Sequence, residues 1–218
     1  MTEAFDKHYW DSHWQQASGH GPGQEIDPNP YLAREISGLT PGTALDAGCG
    51  EGAEAIWLAE AGWQVTAADI STEALSRPAE RTSRECAAPE RVGWIEADLT
   101  VWQPGRQFDL VTTHYAHPAR SQLAFYLRIS DWVAPGGTLL IVGHRHTSQP
   151  SERGPGHDHE GHGHPPEEVT VTAASISAAL DAARWDIVIA DEPVRTLVDR
   201  AGRTVQLDDV VVRATRRS

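Results

Sequence analysis

Short apolar runs alternating with helical stretches predict an α/β chain: a mostly parallel sheet with helices on both faces, ended by an antiparallel pair of strands. Three observations carry this. TALDAG (43–48), WQVTAADI (63–70), VGWIEADL (92–99), FDLVTTHYA (108–116) and TLLIVGH (138–144) read as strands apolar enough to be covered on both faces. Helical periods stand between most of them. At the C-terminus, WDIVIADEP (185–193) and VQLDDVVVRAT (205–215) are joined by only about a dozen residues with Gly202 and no helical period, so these two strands pair antiparallel. With 218 residues, 39% of them apolar, the chain has enough core for one domain over 1–218.

The elements come in order along the chain. A short helix is expected around 5–16, then a Gly/Pro-rich loop to residue 29. Pro30 opens and Gly38 stops the next helix, the usual asymmetry of proline at the start and glycine past the end. After the first strand, Ala53, Ile56, Trp57 and Leu58 recur at helical spacing until Gly62. Ser71 caps a helix of about 71–85. Leu123, Tyr126, Leu127, Ile129 and Trp132 give a helix over 118–133, and Pro135-Gly136-Gly137 is read as a turn before the fifth strand. A last helix is expected near 171–184.

Charge narrows the partners. Eighteen Lys and Arg against 31 Asp and Glu give a net charge of −13, which repels phosphate backbones and anionic lipids. Nucleic acid and membrane are therefore not expected as partners. No apolar run approaches the length of a membrane span, and MTEAFDKHYWDSHW lacks the pattern of a secretory signal. With Cys49 and Cys86 as the only cysteines, a cytoplasmic, reduced protein is expected.

The densest signal is ALDAGCGEGAE (44–54), where a buried strand runs into glycines and a helix comes next. Gly48, Gly50 and Ala53 satisfy the dinucleotide fingerprint, but the neighbouring charge argues otherwise. Asp46 and Glu51 flank the turn, and a carboxylate 4 Å from a diphosphate charge costs roughly 4 kcal/mol at an effective dielectric of about 20. A cationic ligand without phosphate, carrying an ammonium and a sulfonium, suits the turn better. Asp69 closes the second strand, where a carboxylate can accept from both ribose hydroxyls, and Asp98 closes the third, where it can accept an adenine amine. Each acid taken alone has the alternative reading of an N-cap of the next helix; three at successive strand ends point to one ligand edge.

These segments, together with FDLVTTHYAH and WVAPGGTLLI, resemble the class I S-adenosylmethionine (SAM)-dependent methyltransferases over 44–142. The resemblance implies a Rossmann-like, seven-stranded sheet in the order 3-2-1-4-5-7-6 with strand seven antiparallel. It implies SAM as cofactor, S-adenosylhomocysteine (SAH) as product, and a small-molecule acceptor. By the same carry-over Asp46, Gly48, Cys49 and Gly50 face the methionine part, Asp69 with Ile70 the ribose, Asp98 with Leu99 the adenine, and Thr113 and His114 the methyl group. Cys49 is otherwise a small packing residue of the turn. HYWDSHW resembles the N-terminal helix of small bacterial methyltransferases of the tellurite-resistance and thiopurine type. Residues 1–29 are then a lid whose aromatics close over the cofactor; the competing reading makes Tyr9, Trp10 and Trp14 the packed face of a surface helix.

Methyl transfer is an in-line displacement that mainly needs alignment, and a hydroxyl or amine acceptor also needs a base. His114 and His117 are candidate bases and Tyr115 can position an acceptor, although His117-Pro118 also reads as a surface loop. The insert 145–166 is His-rich: His157, His159, His162 and His164 can bind a divalent metal, or form a solvated tract that does so only adventitiously. Its place after the fifth strand suits an acceptor-pocket wall. Two other readings stand beside the methyltransferase. An NAD(P)-dependent oxidoreductase is opposed by Asp46 and Glu51 and by the lack of a Tyr-x-x-x-Lys pair; a non-catalytic SAM- or metal-binding protein is favoured by the His tract. The assembly is expected to be a monomer or a homodimer.

Overall fold

The protein is described by a computed structural model over residues 5–16, 27–76, 78, 86–145, 171–198 and 204–218. The helices are α1 (Lys7–Gln16), α2 (Pro30–Ile36), α3 (Ala53–Glu60), α4 (Gln122–Ser130) and α5 (Ala173–Ala179), with a further helical stretch over 72–76. The strands are β1 (Thr43–Ala47), β2 (Gln64–Asp69), β3 (Val92–Glu96), β4 (Phe108–His114), β5 (Val133–His144), β6 (Trp185–Asp191), β7 (Val194–Val198) and β8 (Thr204–Arg216).

The sheet runs β3-β2-β1-β4-β5-β8-β6. Its first five strands are parallel, and β8 enters antiparallel between β5 and β6. The expected sequence of neighbours is present, but the sheet has eight strands rather than the seven that the resemblance implies. The extra strand comes from a break in one long run. Asp191 lies opposite Val211 and Val194 opposite Asp208, so β6 and β7 share one frame along β8. Glu192-Pro193 interrupts it, because proline has no N–H to give the ladder.

The reading of Pro135-Gly136-Gly137 also needs correction. These residues lie inside β5, in a bulge where Phe108 faces Val133 but Leu110 faces Thr138. Gly136 has φ +79, and a Cβ on Gly137 would stand 2.9 Å from the Ala134 carbonyl oxygen. The strand therefore absorbs the extra residues without leaving the sheet.

Alternate residues of the strands feed two cores. Ala44, Leu110, Leu140 and Val211 meet Leu32, Ile36 and Leu58 from α2 and α3 on one face. Leu45, Val111, Leu139, Ile141 and Val212 meet Phe125, Ile129 and Ile176 from α4 and α5 on the other. That period of two, with both sets buried, is what leaves the strand ends as the open edge for a ligand. Among the described residues no helix is long and apolar enough to cross a membrane.

Candidate active site

The parallel strands end at one edge, and a cavity of about 1080 Å³ opens there. Its floor is the turn after β1. Gly48, Gly50 and Gly52 all have positive φ, at +78, +49 and +72. Two of them also need the missing side chain: a Cβ on Gly48 would stand 2.5 Å from Ala116 Cβ, and one on Gly52 would stand 2.4 Å from the Trp94 ring. The Gly48 and Cys49 N–H groups donate to the Ala68 carbonyl at 2.8 and 3.1 Å, which folds the turn back onto β2.

Acids ring this floor. Asp69 is 9% exposed and accepts from the Gly50 N–H and the Ser71 N–H, both at 2.9 Å. Its carboxylate thus links the glycine turn to the start of the 72–76 helix while still lining the cavity. Burial raises its pKa, and those backbone donors oppose the rise. Asp98 accepts from the Thr100 N–H at 2.9 Å and its hydroxyl at 2.7 Å through one oxygen, Oδ1. Both acids thus accept local hydrogen bonds, Asp69 at the start of the 72–76 helix and Asp98 in the turn after β3, and both line the cavity. Glu54 accepts from the Asn29 N–H at 3.0 Å and lines the cavity near α2.

Asp46 is placed differently. It is 1% exposed, lies outside the cavity lining, and its Oδ2 has no hydrogen-bond partner. Burial, with Glu54 and Asp69 nearby, drives its pKa well above the ordinary carboxylate range. Thr113 also stands apart from the lining: its hydroxyl donates to the Ala47 carbonyl at 2.7 Å and ties β4 to β1. Alternation along β4 turns Thr113 inward, so the side chain that reaches the cavity from this strand end is His114.

His114 has its Nε2 shielded from solvent with no partner, and its Nδ1 lies 3.5 Å from Thr112 Oγ1. Burial lowers its pKa. The ring is thus neutral at neutral pH, and His114 lines the same cavity as the glycine turn. Cys49 and Ile70 line the cavity beside Asp69, and Leu99 lines it beside Asp98. Burial pushes the Cys49 thiol up, ahead of the effect of Asp46, so it stays protonated and packs.

The roof is α1. None of its residues is buried, yet Lys7, Trp10 and Trp14 line the cavity, as does the preceding Phe5. Trp14 lies over Gly50, with ring carbon Cζ2 3.2 Å from where a Cβ would stand. Polar bonds hold the helix down. Lys7 donates to Ile70 O (3.3 Å) and Thr72 Oγ1 (2.7 Å) and pairs with Asp11 and Glu96 at 3.1 Å each. The Ser71 hydroxyl donates to Asp11 at 2.7 Å.

The far wall holds residues that sequence reasoning missed. Asp209 on β8 is fully buried. It accepts from the hydroxyls of Tyr31 (3.1 Å) and Tyr115 (2.9 Å) and from Arg195 Nε (2.5 Å). Arg195 Nη2 donates to the Tyr115 hydroxyl at 2.8 Å. Tyr115 adopts φ +53, which is strained for an aromatic residue, and stacks on His144 at 4.3 Å between centroids. Burial, more than Asp209, raises its pKa, so it remains a phenol. His117 lines the cavity 6.1 Å from the Phe5 ring. The available signal was LDDVVV, an acid inside an apolar strand, which must find donors once buried.

No group of three or more His, Cys, Asp or Glu side chains is arranged to hold a metal among the described residues. His157, His159, His162 and His164, and the insert they belong to, lie outside the described residues.

Residues 44–137 match the family model described as "Methyltransferase domain". The ribosomal RNA small subunit methyltransferase C of Alcanivorax borkumensis is 32% identical over 110 residues, covering 48% of this chain and 33% of that protein. The Arabidopsis thaliana protein named "Probable thiol methyltransferase 2" is 28% identical over 138 residues, covering 61% of this chain and 60% of that one. The chain spans 33%, 60% and 48% of the lengths of the first three curated relatives it matches. In fold it is similar to the solved structure of TehB from Haemophilus influenzae, with TM-score 0.65 and 16% identity over 97% of this chain and 67% of that one.

Proposed function

We propose that this chain, a class I methyltransferase in its fold and in the sequence of residues 44–137, moves a methyl group from SAM to a small-molecule acceptor. One observation carries the reading: a glycine turn built for close backbone approach is ringed by Glu51, Glu54, Asp69, Glu96 and Asp98. Such a ring repels a pyrophosphate and suits a cationic nucleoside. The cavity of about 1080 Å³ is at or above the upper end of the range for one small ligand, roughly 300–1,000 Å³, so it accommodates a cofactor and an acceptor together.

SAM, when bound, supplies a methyl carbon on a positively charged sulfur that is already a good leaving group. Everything else is work for the chain. Gly48 and Gly50 hold the amino-acid end, with the carboxyl of Asp46 buried behind the turn. Asp69 has lone pairs left for the ribose hydroxyls, and Asp98 with Leu99 holds the adenine. Trp10 and Trp14 on α1 exclude water above the turn, so residues 5–16 act as a lid. Neutral His114 accepts the acceptor's proton where that acceptor has one to lose, and His117 orients it. Tyr115, tied into Asp209, fixes the wall against which the acceptor lies.

Titration calorimetry tests the reading with SAM, SAH and NADH in parallel. Saturable one-to-one binding of SAM and SAH without binding of NADH is expected. NADH binding in the absence of SAM binding would return the chain to the oxidoreductases.

A further inference from the structure

The two ends of the cavity differ in charge, and the difference arises from strand order. Asp69 and Asp98 belong to β2 and to the end of β3 on one side of β1, while Arg195 comes from β7, beyond β4, β5 and β8 on the other. Lys7 and Arg195 are the Lys and Arg side chains that line the cavity among the described residues. Lys7 is consumed by its bonds to Ile70, Thr72, Asp11 and Glu96. Arg195 is not: Nε is held by Asp209 and Nη2 by the Tyr115 hydroxyl, while Nη1 has no partner among the described residues. Its counter-charge sits behind it, fully buried and shared with Tyr31 and Tyr115, whereas the guanidinium side chain remains 21% exposed.

A guanidinium fixed from behind, with donors left over, is a fork for a planar oxyanion. The same cavity is lined by the flat apolar rings of Phe5 and Trp10. We infer that Arg195 is the anchor for a carboxylate on the acceptor, so that the acceptor is a small carboxylic acid with a flat apolar body; this rests on the methyltransferase reading. The anchor lies at the end of the cavity away from the adenine acids, which points the rest of the acceptor toward His114 and the glycine turn.

The net charge of −13 makes the test sharp, because the protein as a whole repels an anion. Naphthalene-2-carboxylate and naphthalene-2-carboxamide are titrated into the full chain, with and without saturating SAH, at fixed ionic strength. The carboxylate is expected to bind about tenfold tighter than the amide, the scale of a charge-assisted pair. Arg195→Gln is expected to abolish that preference, and Arg195→Lys, which keeps the charge opposite Asp209, to retain part of it. The SAH affinity of the lysine variant is expected to stay within about twofold of wild type. Equal binding of the two probes to wild type, or no saturable binding of either, overturns the inference without needing any variant. A loss of SAH affinity in Arg195→Lys with the probe preference intact also overturns it, by assigning the guanidinium to the cofactor's amino-acid end. Failure of SAH to bind wild type speaks against the methyltransferase reading alone, since the titration without SAH still reads the anchor.

Discussion

Asp46 carries a carboxyl where the fold gives it least help. One oxygen lacks a partner, water is excluded, and Glu54 and Asp69 stand close by. A carboxyl whose folded pKa lies above its unfolded value takes stability away as pH rises from the ordinary carboxylate range toward the folded value. Below that range there is no penalty. Asp46→Asn should therefore stabilise the ligand-free protein by about 1–2 kcal/mol at neutral pH, in urea unfolding, and by little at about pH 3.5. The same change should weaken SAM binding on the order of tenfold, because a bound cation favours the ionised form of this carboxyl, which asparagine cannot supply. A variant that is stabilised but binds SAM unchanged would leave Asp46 with no part in the site. The sequence shows this acid two residues before the glycines, but not that it sits behind the turn and outside the cavity lining. Asp69 and Asp98 are legible because strand ends in a parallel sheet share an edge. Arg195 and Asp209 are not, since pairing across 14 positions of a bent hairpin depends on where β8 enters the sheet.

At the scale of the element, α1 separates attachment from burial. A helix with no buried residue gains little from the hydrophobic effect, so its position depends on the polar bonds made by Lys7 and Asp11. Exposed ion pairs of this kind contribute little to global stability. Lys7→Gln should thus leave the urea midpoint almost unchanged, while amide exchange in residues 7–16 speeds up and SAM dissociates several-fold faster. Hydrogen exchange with mass detection and stopped-flow displacement read the two effects. If α1 exchange stays slow, the aromatic contacts of Trp10 and Trp14 hold the helix and the ion pairs are incidental. Spacing alone places this helix within a residue or two of its span. Its two readings, as lid or as packed face, differ in a quantity that spacing does not encode, namely burial. The Pro-Gly-Gly segment is the opposite case. The turn chemistry at 135–137 is real, but β4 supplies partners on both sides of it, so the same residues make a bulge within a strand.

The whole molecule depends on a strand that comes last in the chain. β8 lies between β5 and β6, and Val211, fully buried, faces Val142 on one side and Asp191 on the other. The glycine turn and the acids around it belong to β1, β2 and β3, yet the core beneath them is continuous with Val211 through Leu110 and Leu140. Sequence patterning identifies the terminal strands and their antiparallel pairing, because period and loop length fix those locally; order within the sheet comes through resemblance. Breaking β8 therefore probes whether the two halves are one cooperative unit. Val211→Pro removes a ladder donor and core volume at once and should cost more than about 3 kcal/mol, a large part of a domain's roughly 5–15 kcal/mol. Far-UV circular dichroism and SAM binding are expected to be lost together along a single urea transition shifted to low denaturant. Separate transitions, with SAM still bound after the first, would mean that the parallel half folds by itself and that the hairpin, with its arginine, is an addition to a complete cofactor domain.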